Sequence, residues 1–436
     1  MANEHDKKDP MDLLDGLYGF AFECEEDSFS MPIEEVEEEL RLQGIDPGGI
    51  DQRARDAFAR LLGYEDCALA TAAVDAAEDR AGHKATPACA AAAHVGMTPA
   101  AFFKRLSEVG LTKEFVRERL LPTALLFRLD ALKVKSGDEA RAVAVEVAET
   151  VGRVFNWTAA ELFSGEPLSM PAGAYGAARF KLPASASERK ATIYAAYAHR
   201  LAMLVLEATV DLPTHAIPTD AELVRTKLEK RYGAVTFAST LHFAWDLGIP
   251  VLPLADPGAF HGACWRARGR NVIVLKQQTL SPARWLTDLL HEIGHGGQEP
   301  EKTERAVIEE NETADARRTS AEEKIVSRFA GDVLLGGRAD TLAKMCVKEA
   351  DNRMERLKMA VQRVAAREKV PVDVLANYLA FRLSLEKKTW WGAATNLQDF
   401  TSNPYEVTRD VLLERVNLDR LEPPDRELLQ RALGVE

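Results

Sequence analysis

The pentapeptide His291-Glu292-Ile293-Gly294-His295 constrains this chain more than any other stretch of its sequence. On an α-helix, residues four positions apart lie about 40° apart around the axis, so His291 and His295 can share one tetrahedral ion. Glu292 falls about 60° from His295, close enough to reach a water on that ion without being a ligand. The pattern therefore predicts a helix that carries a divalent metal site and a general base.

The residues around the pentapeptide favour a helix. Ser281 followed by Pro282 is typical of an N-cap with proline in the first turn, and Gly296-Gly297 is typical of a helix end. Asp288 falls on the histidine face, where its carboxylate would orient an imidazole ring. A set of apolar side chains falls on the opposite face and predicts a buried side: Trp285, Leu286, Leu289, Leu290 and Ile293.

Two histidines leave a catalytic zinc one protein ligand short. The stretch from residue 299 to residue 323 is rich in acidic side chains that could supply it. Glu323 is the favoured candidate because, on a predicted helix, its face carries the small residues Ser327 and Ala330, which would allow close approach to the metal helix. The alternatives that the residues leave open are Glu309, Glu310 and Glu312.

Composition predicts a cytoplasmic protein. The sequence has no run of 18 or more apolar residues, and its charged start lacks the apolar region of a secretory signal. The five cysteines are scattered without CxxC spacing, which is typical of a reducing compartment. Residues 1–60 hold 17 acidic and 6 basic side chains and so carry most of the net charge of −13, a pattern that favours a solvated, partly flexible segment.

The order of motifs resembles that of the ImmA/IrrE family of metallopeptidases. A hairpin formed by residues 262–265 and 272–275 precedes the HEIGH motif, and Phe329-Ala330 follows on a later helix. Aligning Phe329-Ala330 with the same pair in the family places the family's third metal ligand at Glu323. The chain departs from the family in having Val326 and Ser327 where Ala and Asn are usual, and in an acidic insert before this helix. The resemblance covers about residues 230–340 and implies a zincin-like domain with Zn²⁺, or another divalent ion such as Mn²⁺.

The expected fold is α+β and mostly helical, with a small β-hairpin or sheet in the metallopeptidase domain and helical regions on both sides of it. Everything after Glu301 has a helical pattern. The paired tryptophans Trp390-Trp391 are expected to pack in the core or in a domain interface. The predicted divisions are a partly flexible acidic leader at 1–95, a helix-turn-helix-like domain at 96–168, a linker at 169–186, the metallopeptidase domain at 187–345 and a helical domain at 346–436.

The resemblance also places the hairpin beside the metal, where a substrate strand can pair with an exposed edge. It makes His261 a candidate catalytic residue that would donate to the developing oxyanion, while a surface loop is the alternative setting for this histidine. Arg266, Arg268 and Tyr232 are further candidate donors. Cys264 is not expected to be a nucleophile, because metal chemistry already supplies one and this cysteine lies in a strand pattern.

Residues 97–115 and 151–163 look like a diverged version of the helix-turn-helix domain that often precedes the peptidase in this family. DNA binding would need a basic stripe, and the candidate side chains for it are Lys104, Arg105, Lys113, Arg117 and Arg119. Acidic residues bring the net charge of 97–168 to about zero. A protein-recognition or purely structural helical module is therefore favoured over a DNA-binding one.

By resemblance, the function to expect is that of a zinc-dependent endopeptidase. Its substrate would be a protein, such as a helix-turn-helix repressor or an antitoxin-like partner, cut in a stress, phage or toxin–antitoxin response, and no membrane is involved. The alternative is a transcription regulator or sensor whose peptidase-like domain binds metal without proteolysis. Both functions keep the metal, so catalytic activity is what separates them.

Overall fold

Residues 99–435 are described by a computed structural model, apart from 132–137, 165, 167, 169–185, 256–259, 278, 311–319 and 387. The described residues all belong to one unit of the chain, Ala85–Glu436. The predicted leader, most of the predicted linker and the alternative ligand Glu312 lie outside the described residues. No helix in the described part is long and apolar enough to cross a membrane.

A mixed four-stranded sheet positions the metal motif. Its strands are β1 (Val251–Pro253), β2 (Phe260–Ala267), β3 (Arg270–Leu275) and β4 (Arg305–Glu310), in the order β1-β3-β2-β4. β2 runs antiparallel to both of its neighbours, and β1 runs parallel to β3. Arg268 and Gly269 join β2 to β3 with φ angles of 52° and 76°, as a two-residue turn with both central residues left-handed requires. The predicted hairpin is confirmed.

Strand β4 corrects the prediction that everything after Glu301 is helical. It pairs antiparallel with β2, with Ala306 opposite Trp265 and Val307 opposite Cys264. Short β-branched stretches are decided by the partner strand that covers them rather than by local propensity, which is why the helical interpretation was wrong here. Because β4 covers β2, the outermost strand on this side of the described sheet is β4 and not the hairpin. Two of the alternative ligands, Glu309 and Glu310, lie in this strand.

Helices precede the sheet, as the periodicity predicts. The first group comprises α1 (Pro99–Glu108), α2 (Lys113–Phe115) with a π-helical turn at Val116–Leu120, α3 (Thr123–Ala131), α4 (Asp138–Phe155) and α5 (Ala159–Phe163). Three further helices follow: α6 (Ala186–Ala208), α7 (Ala221–Tyr232) and α8 (Phe237–Asp246).

The metal motif lies on α9 (Pro282–Gly296), which directly follows β3, and the favoured third ligand lies on α10 (Ala321–Leu335). The remaining helices are α11 (Ala339–Glu349), α12 (Leu357–Glu368), α13 (Val372–Leu385), α14 (Trp391–Thr395), α15 (Pro404–Arg415) and α16 (Pro423–Ala432). Short 3-10 turns lie at Met354–Arg356 and Leu418–Arg420. The fold is therefore α+β and mostly helical with a small sheet, as expected.

Helices cover both faces of the sheet. Along β2, Gly262, Cys264 and Arg266 point towards α9, because strand side chains alternate between faces. Trp265 points the other way, and its ring lies 5.6 Å from the ring of His199 on α6. One face of the sheet thus supports the metal helix, and the other packs against α6.

The paired tryptophans anchor the start of the metal helix. Trp390 is buried, and the guanidinium of Arg284 lies 5.3 Å from the centre of the Trp391 ring. Arg284 also donates to Oγ1 of Thr395 at 2.7 Å. The prediction that these tryptophans serve core or interface packing is confirmed.

Candidate metal centre

Helix α9 forms as its flanking residues predict. Oγ of Ser281 accepts a hydrogen bond from the backbone N–H of Arg284, Pro282 occupies the first turn, and the helix ends at Gly297. The predicted apolar face is buried, which fixes the rotation of α9 and turns both histidines towards α10: Trp285, Leu286, Leu289, Leu290 and Ile293. Burial of this face orients the metal motif, and neither imidazole belongs to the apolar face.

Three side chains converge between α9 and α10. Nε2 of His291 lies 3.0 Å from Nε2 of His295. The Glu323 carboxylate bridges the pair, with Oε2 3.2 Å from Nε2 of His291 and Oε1 3.1 Å from Nε2 of His295. One ligand atom from each of the three residues lies within 4.8 Å of the others. The predicted convergence of His291, His295 and Glu323 is therefore confirmed as a possible metal-binding triad.

The dimensions of the triad fit a small divalent ion. In a tetrahedral site with bond lengths of about 2.0–2.1 Å, neighbouring ligand atoms lie about 3.3 Å apart. The two Nε2 atoms lie 3.0 Å apart, close to that edge length, and each lies 3.1–3.2 Å from a different oxygen of the Glu323 carboxylate, either of which could be the third ligand atom. Two imidazoles and one carboxylate form a donor set typical of catalytic zinc, which keeps its fourth position for water or substrate.

A glycine on the metal helix permits the close approach of α10. An added Cβ on Gly294 would lie 3.2 Å from Cβ of Val326 and 3.2 Å from Cδ1 of Phe329. The sequence predicted that Ser327 and Ala330 on α10 would allow this approach, but Gly294 lies at the contact. Because Gly294 carries no side chain, Val326 and Phe329 of α10 can pack against the backbone of α9, and the first turn of α10 can bring Glu323 to the histidines.

Glu292 is fully buried beside strand β2. A Cβ added to Gly262 would overlap Oε1 of Glu292 and lie 3.0 Å from its Cδ, so the carboxyl group rests against a backbone position that only glycine leaves open. Glu292 does not belong to the ligand triad. It therefore occupies the place expected of a general base held next to, but outside, the set of ligands.

A second acidic residue of α10 holds one of the ligands. Nδ1–H of His295 donates to Oε1 of Glu322 at 2.7 Å, which leaves Nε2 for the triad. Arg305 of β4 pairs with the same carboxylate oxygen and donates from Nη1 to the backbone oxygen of His295 at 2.9 Å. The acid that contacts Nδ1 of His295 is thus Glu322. Asp288 accepts a hydrogen bond from Gln277, and its orienting contact with an imidazole stays a prediction.

These contacts shift the titration of the site. Burial alone would lower the pKa of His295, but its hydrogen bonds to Glu322 and Glu323 raise it to about 9. The hydrogen bond from His295 lowers the pKa of Glu322 to about 2, with Arg305 adding to the effect. Burial would raise the pKa of Glu323, yet both histidines hold it well below its usual range. The carboxylates are therefore ionised at neutral pH and ready to balance a cation.

The residues predicted as oxyanion donors lie in different settings. His261 lies in β2, but its side chain lies outside the described residues, so its catalytic role stays a prediction. The Tyr232 hydroxyl donates to Asp246, and Arg266 donates to the backbone oxygens of residues 296, 298, 299 and 302. Arg268 occupies the hairpin turn. Tyr232 and Arg266 are therefore committed to structural contacts.

Cys264 is buried, and burial next to Glu292 raises the pKa of its thiol far above the ordinary value. A thiol of this kind is protonated at neutral pH and is a poor nucleophile. Its setting agrees with the expectation that Cys264 has no nucleophilic role.

The predicted basic stripe of the N-terminal helices is largely engaged within the chain. Arg105 donates to the backbone oxygens of Glu161 and Glu166, and Arg117 forms an ion pair with Asp130 at 2.8 Å. The Lys113 ammonium lies 5.9 Å from the ring centre of Phe103. These basic side chains therefore contact other residues of the same chain.

Sequence reasoning missed Glu322, Arg305, Gly262 and Gly294 as residues that shape the site. Glu322 neighbours the predicted ligand, but helical phase favoured Glu323 alone and gave no indication that Glu322 would contact the same histidine. Arg305 was hidden because its strand was interpreted as helix. The available signal was the β-branched pair Val307-Ile308 directly after it.

Comparisons with known proteins assign no family to this chain. No protein-family model, no curated protein and no solved structure matches this chain.

Proposed function

We propose that this chain is a zinc-dependent endopeptidase and that His291, His295 and Glu323 hold the zinc ion. The observation that carries the proposal is the convergence of these three ligands next to the fully buried Glu292. A carboxylate held next to the ligands without joining them is the group that hydrolysis by a metal-bound water needs as its general base. The ImmA/IrrE resemblance supports the same activity.

The chemistry of peptide hydrolysis assigns a role to each group. When bound, zinc would polarise the substrate carbonyl and lower the pKa of a water molecule. Glu292 takes a proton from the attacking water as its oxygen bonds to the carbonyl carbon. Glu292 then gives that proton to the amide nitrogen as the C–N bond breaks, which yields a carboxylic acid and an amine. Glu322 keeps His295 oriented throughout.

The proposed substrate is a protein rather than a small peptide or a nucleic acid. The resemblance points to a DNA-binding repressor or an antitoxin-like partner as that protein. Strand β4 is the outermost described strand next to β2, so its outer edge is where an extended substrate segment would add to the described sheet. The place of the protein in a stress, phage or toxin–antitoxin response rests on the resemblance alone.

Replacing Glu292 by Gln tests the proposal. Gln keeps the shape of the side chain and leaves the triad intact, so we expect zinc content and thermal stability to be retained. Cleavage of a helix-turn-helix repressor encoded next to this gene should fall by about 10²-fold or more, since Gln cannot accept the proton. Glu301→Gln, at an exposed position outside the site, is the matched control and should cleave as the wild type does.

Cleavage is followed by gel electrophoresis and mass spectrometry of the products. If the zinc-loaded wild type cleaves no candidate partner while Glu292→Gln still regulates normally in cells, the endopeptidase proposal fails. The sensor function then takes its place, because the metal site would act without turnover.

A further inference from the structure

Both ring nitrogens of the candidate ligand His295 have a partner in the site. Its Nε2 faces the triad, and its Nδ1–H donates to Oε1 of Glu322 at 2.7 Å. A carboxylate can only accept, so this bond keeps a proton on Nδ1 and makes Nε2 the nitrogen that would give up its proton to bind a metal. The His295 side chain is completely buried, so no water competes for Nδ1 from bulk solvent.

Glu322 is itself held in place by a strand of the sheet. Arg305, whose side chain is 9% exposed, forms an ion pair with Oε1 of Glu322 and donates from Nε to Glu299 at 3.2 Å. The same guanidinium donates from Nη1 to the backbone oxygen of His295 at 2.9 Å. Arg305 therefore contacts both the backbone of the ligand and the carboxylate that orients its ring.

We infer that Glu322 and Arg305 are positioning residues that fix the ring and the tautomer of His295 for metal binding. The inference rests on metal binding by the triad and not on peptide hydrolysis. Carboxylates that accept from a ligating histidine commonly change metal affinity by 10–100-fold when they are removed. Glu322 acts through His295 and does not touch the ion.

The chain offers a matched control for this inference. Helices α7 and α10 both begin with Ala-Glu after a capping side chain, so Glu222 and Glu322 occupy the same first-turn position. Glu222 is exposed. Glu222→Ala removes the same charge from a helix start and leaves the triad untouched, which separates loss of the His295 contact from loss of a favourable helix-dipole charge.

The test measures zinc affinity by competition with a chromogenic chelator. Glu322→Ala should bind zinc about 10–100-fold more weakly than the wild type, whereas Glu222→Ala should bind like the wild type. Glu322→Gln should recover part of the loss, because an amide oxygen still accepts from Nδ1–H. Arg305→Gln should weaken zinc binding in the wild-type background and change it much less in the Glu322→Ala background.

Long-range ¹H–¹⁵N correlation spectra of the zinc-loaded proteins provide a readout that general destabilisation would not move. The wild type should show His295 as a single tautomer with the proton on Nδ1, and Glu322→Ala should broaden or split these signals while those of His291 stay sharp. If the wild type binds zinc and Glu322→Ala binds as tightly with unchanged His295 signals, the inference is overturned. If the wild type binds no zinc, the metal centre fails and the inference fails with it.

Discussion

Two histidines on opposite faces of the same sheet have opposite electrostatic settings. On the α9 face, His295 lies among carboxylates that raise its pKa to about 9. On the α6 face, His199 packs beside Trp265, and burial together with the Arg200 charge lowers its pKa to about 4. Burial away from water is sufficient to lower the pKa of a histidine, which is the direction seen for His199. We therefore expect the α9 face, where two carboxylates contact the histidines, to be the one that holds a cation.

The contrast predicts a loss of metal that is confined to one face. His291→Ala and His295→Ala should each reduce bound zinc well below one equivalent, because either change leaves two protein ligands. His199→Ala, on the other face, should keep a full equivalent. Elemental analysis of the purified proteins measures all three. A full equivalent in both His291→Ala and His295→Ala would remove the metal centre as described.

The second prediction separates the ligand on α10 from other acids nearby. Glu323→Gln should weaken zinc affinity by about tenfold or more, since an amide is a poorer ligand than a carboxylate. Glu309→Gln, Glu310→Gln and Glu312→Gln should leave affinity unchanged in the same chelator competition. Loss of binding in one of those three, with binding retained in Glu323→Gln, would show that another acid is the third ligand.

A smaller change tests the position of Glu292. Gly262→Ala places a Cβ where Oε1 of Glu292 now lies, and the end of that flexible side chain must move. Zinc content should be retained, and cleavage should fall by about tenfold or more because the general base is displaced. Gly269→Ala strains the turn of the same hairpin, where φ is 76°, without placing an atom near Glu292, so it controls for a general loss of hairpin stability and should lose less cleavage than Gly262→Ala. Equal cleavage by Gly262→Ala and the wild type would argue against this placement of the base.

The smallest effect concerns the pH dependence of stability. His199 has a folded pKa of about 4, below its ordinary value of 6.5, so between these pH values the unfolded chain takes up a proton that the folded chain refuses. Its contribution to stability is therefore present above pH 6.5 and is lost as the pH falls towards 4. Thermal unfolding should show a shallower acid loss for His199→Gln than for the wild type. His215→Gln, at an exposed histidine, should follow the wild type.

His295 should show the opposite sign once the metal has been removed with a chelator. Its folded pKa of about 9 lies above 6.5, so its contribution is present below pH 6.5 and is lost as the pH rises through 9. An alkaline loss in the chelated wild type that is reduced in chelated Glu322→Ala would support this sign. Equal alkaline curves for the two proteins would contradict it.

Much of the site could be predicted from the sequence because its strongest signals are local. The spacing of His291 and His295, the Ser281 cap and the apolar face of α9 all depend on helix geometry within a few turns. The strand β4 could not be predicted in this way, because it depends on pairing with β2 some forty residues earlier in the chain. Arg305 lies in this strand, so its place in the site could not be predicted either.

The choice among acids shows the same limit. Helical phase and the ImmA/IrrE resemblance both favoured Glu323, and the structure places it with the histidines. Neither indicated that the adjacent Glu322 would contact the other nitrogen of His295, since that contact depends on how α10 crosses α9 at Gly294. The predicted role of His261 likewise depends on where its side chain points, and that side chain lies outside the described residues.

The proposed function requires that one divalent ion is held by His291, His295 and Glu323. An anomalous difference map from a crystal of the zinc-loaded protein, collected at the zinc edge, tests this claim most directly. We expect one strong peak about 2.0–2.2 Å from Nε2 of His291, Nε2 of His295 and a carboxylate oxygen of Glu323. A strong peak elsewhere in the chain, or no peak between α9 and α10, would contradict it.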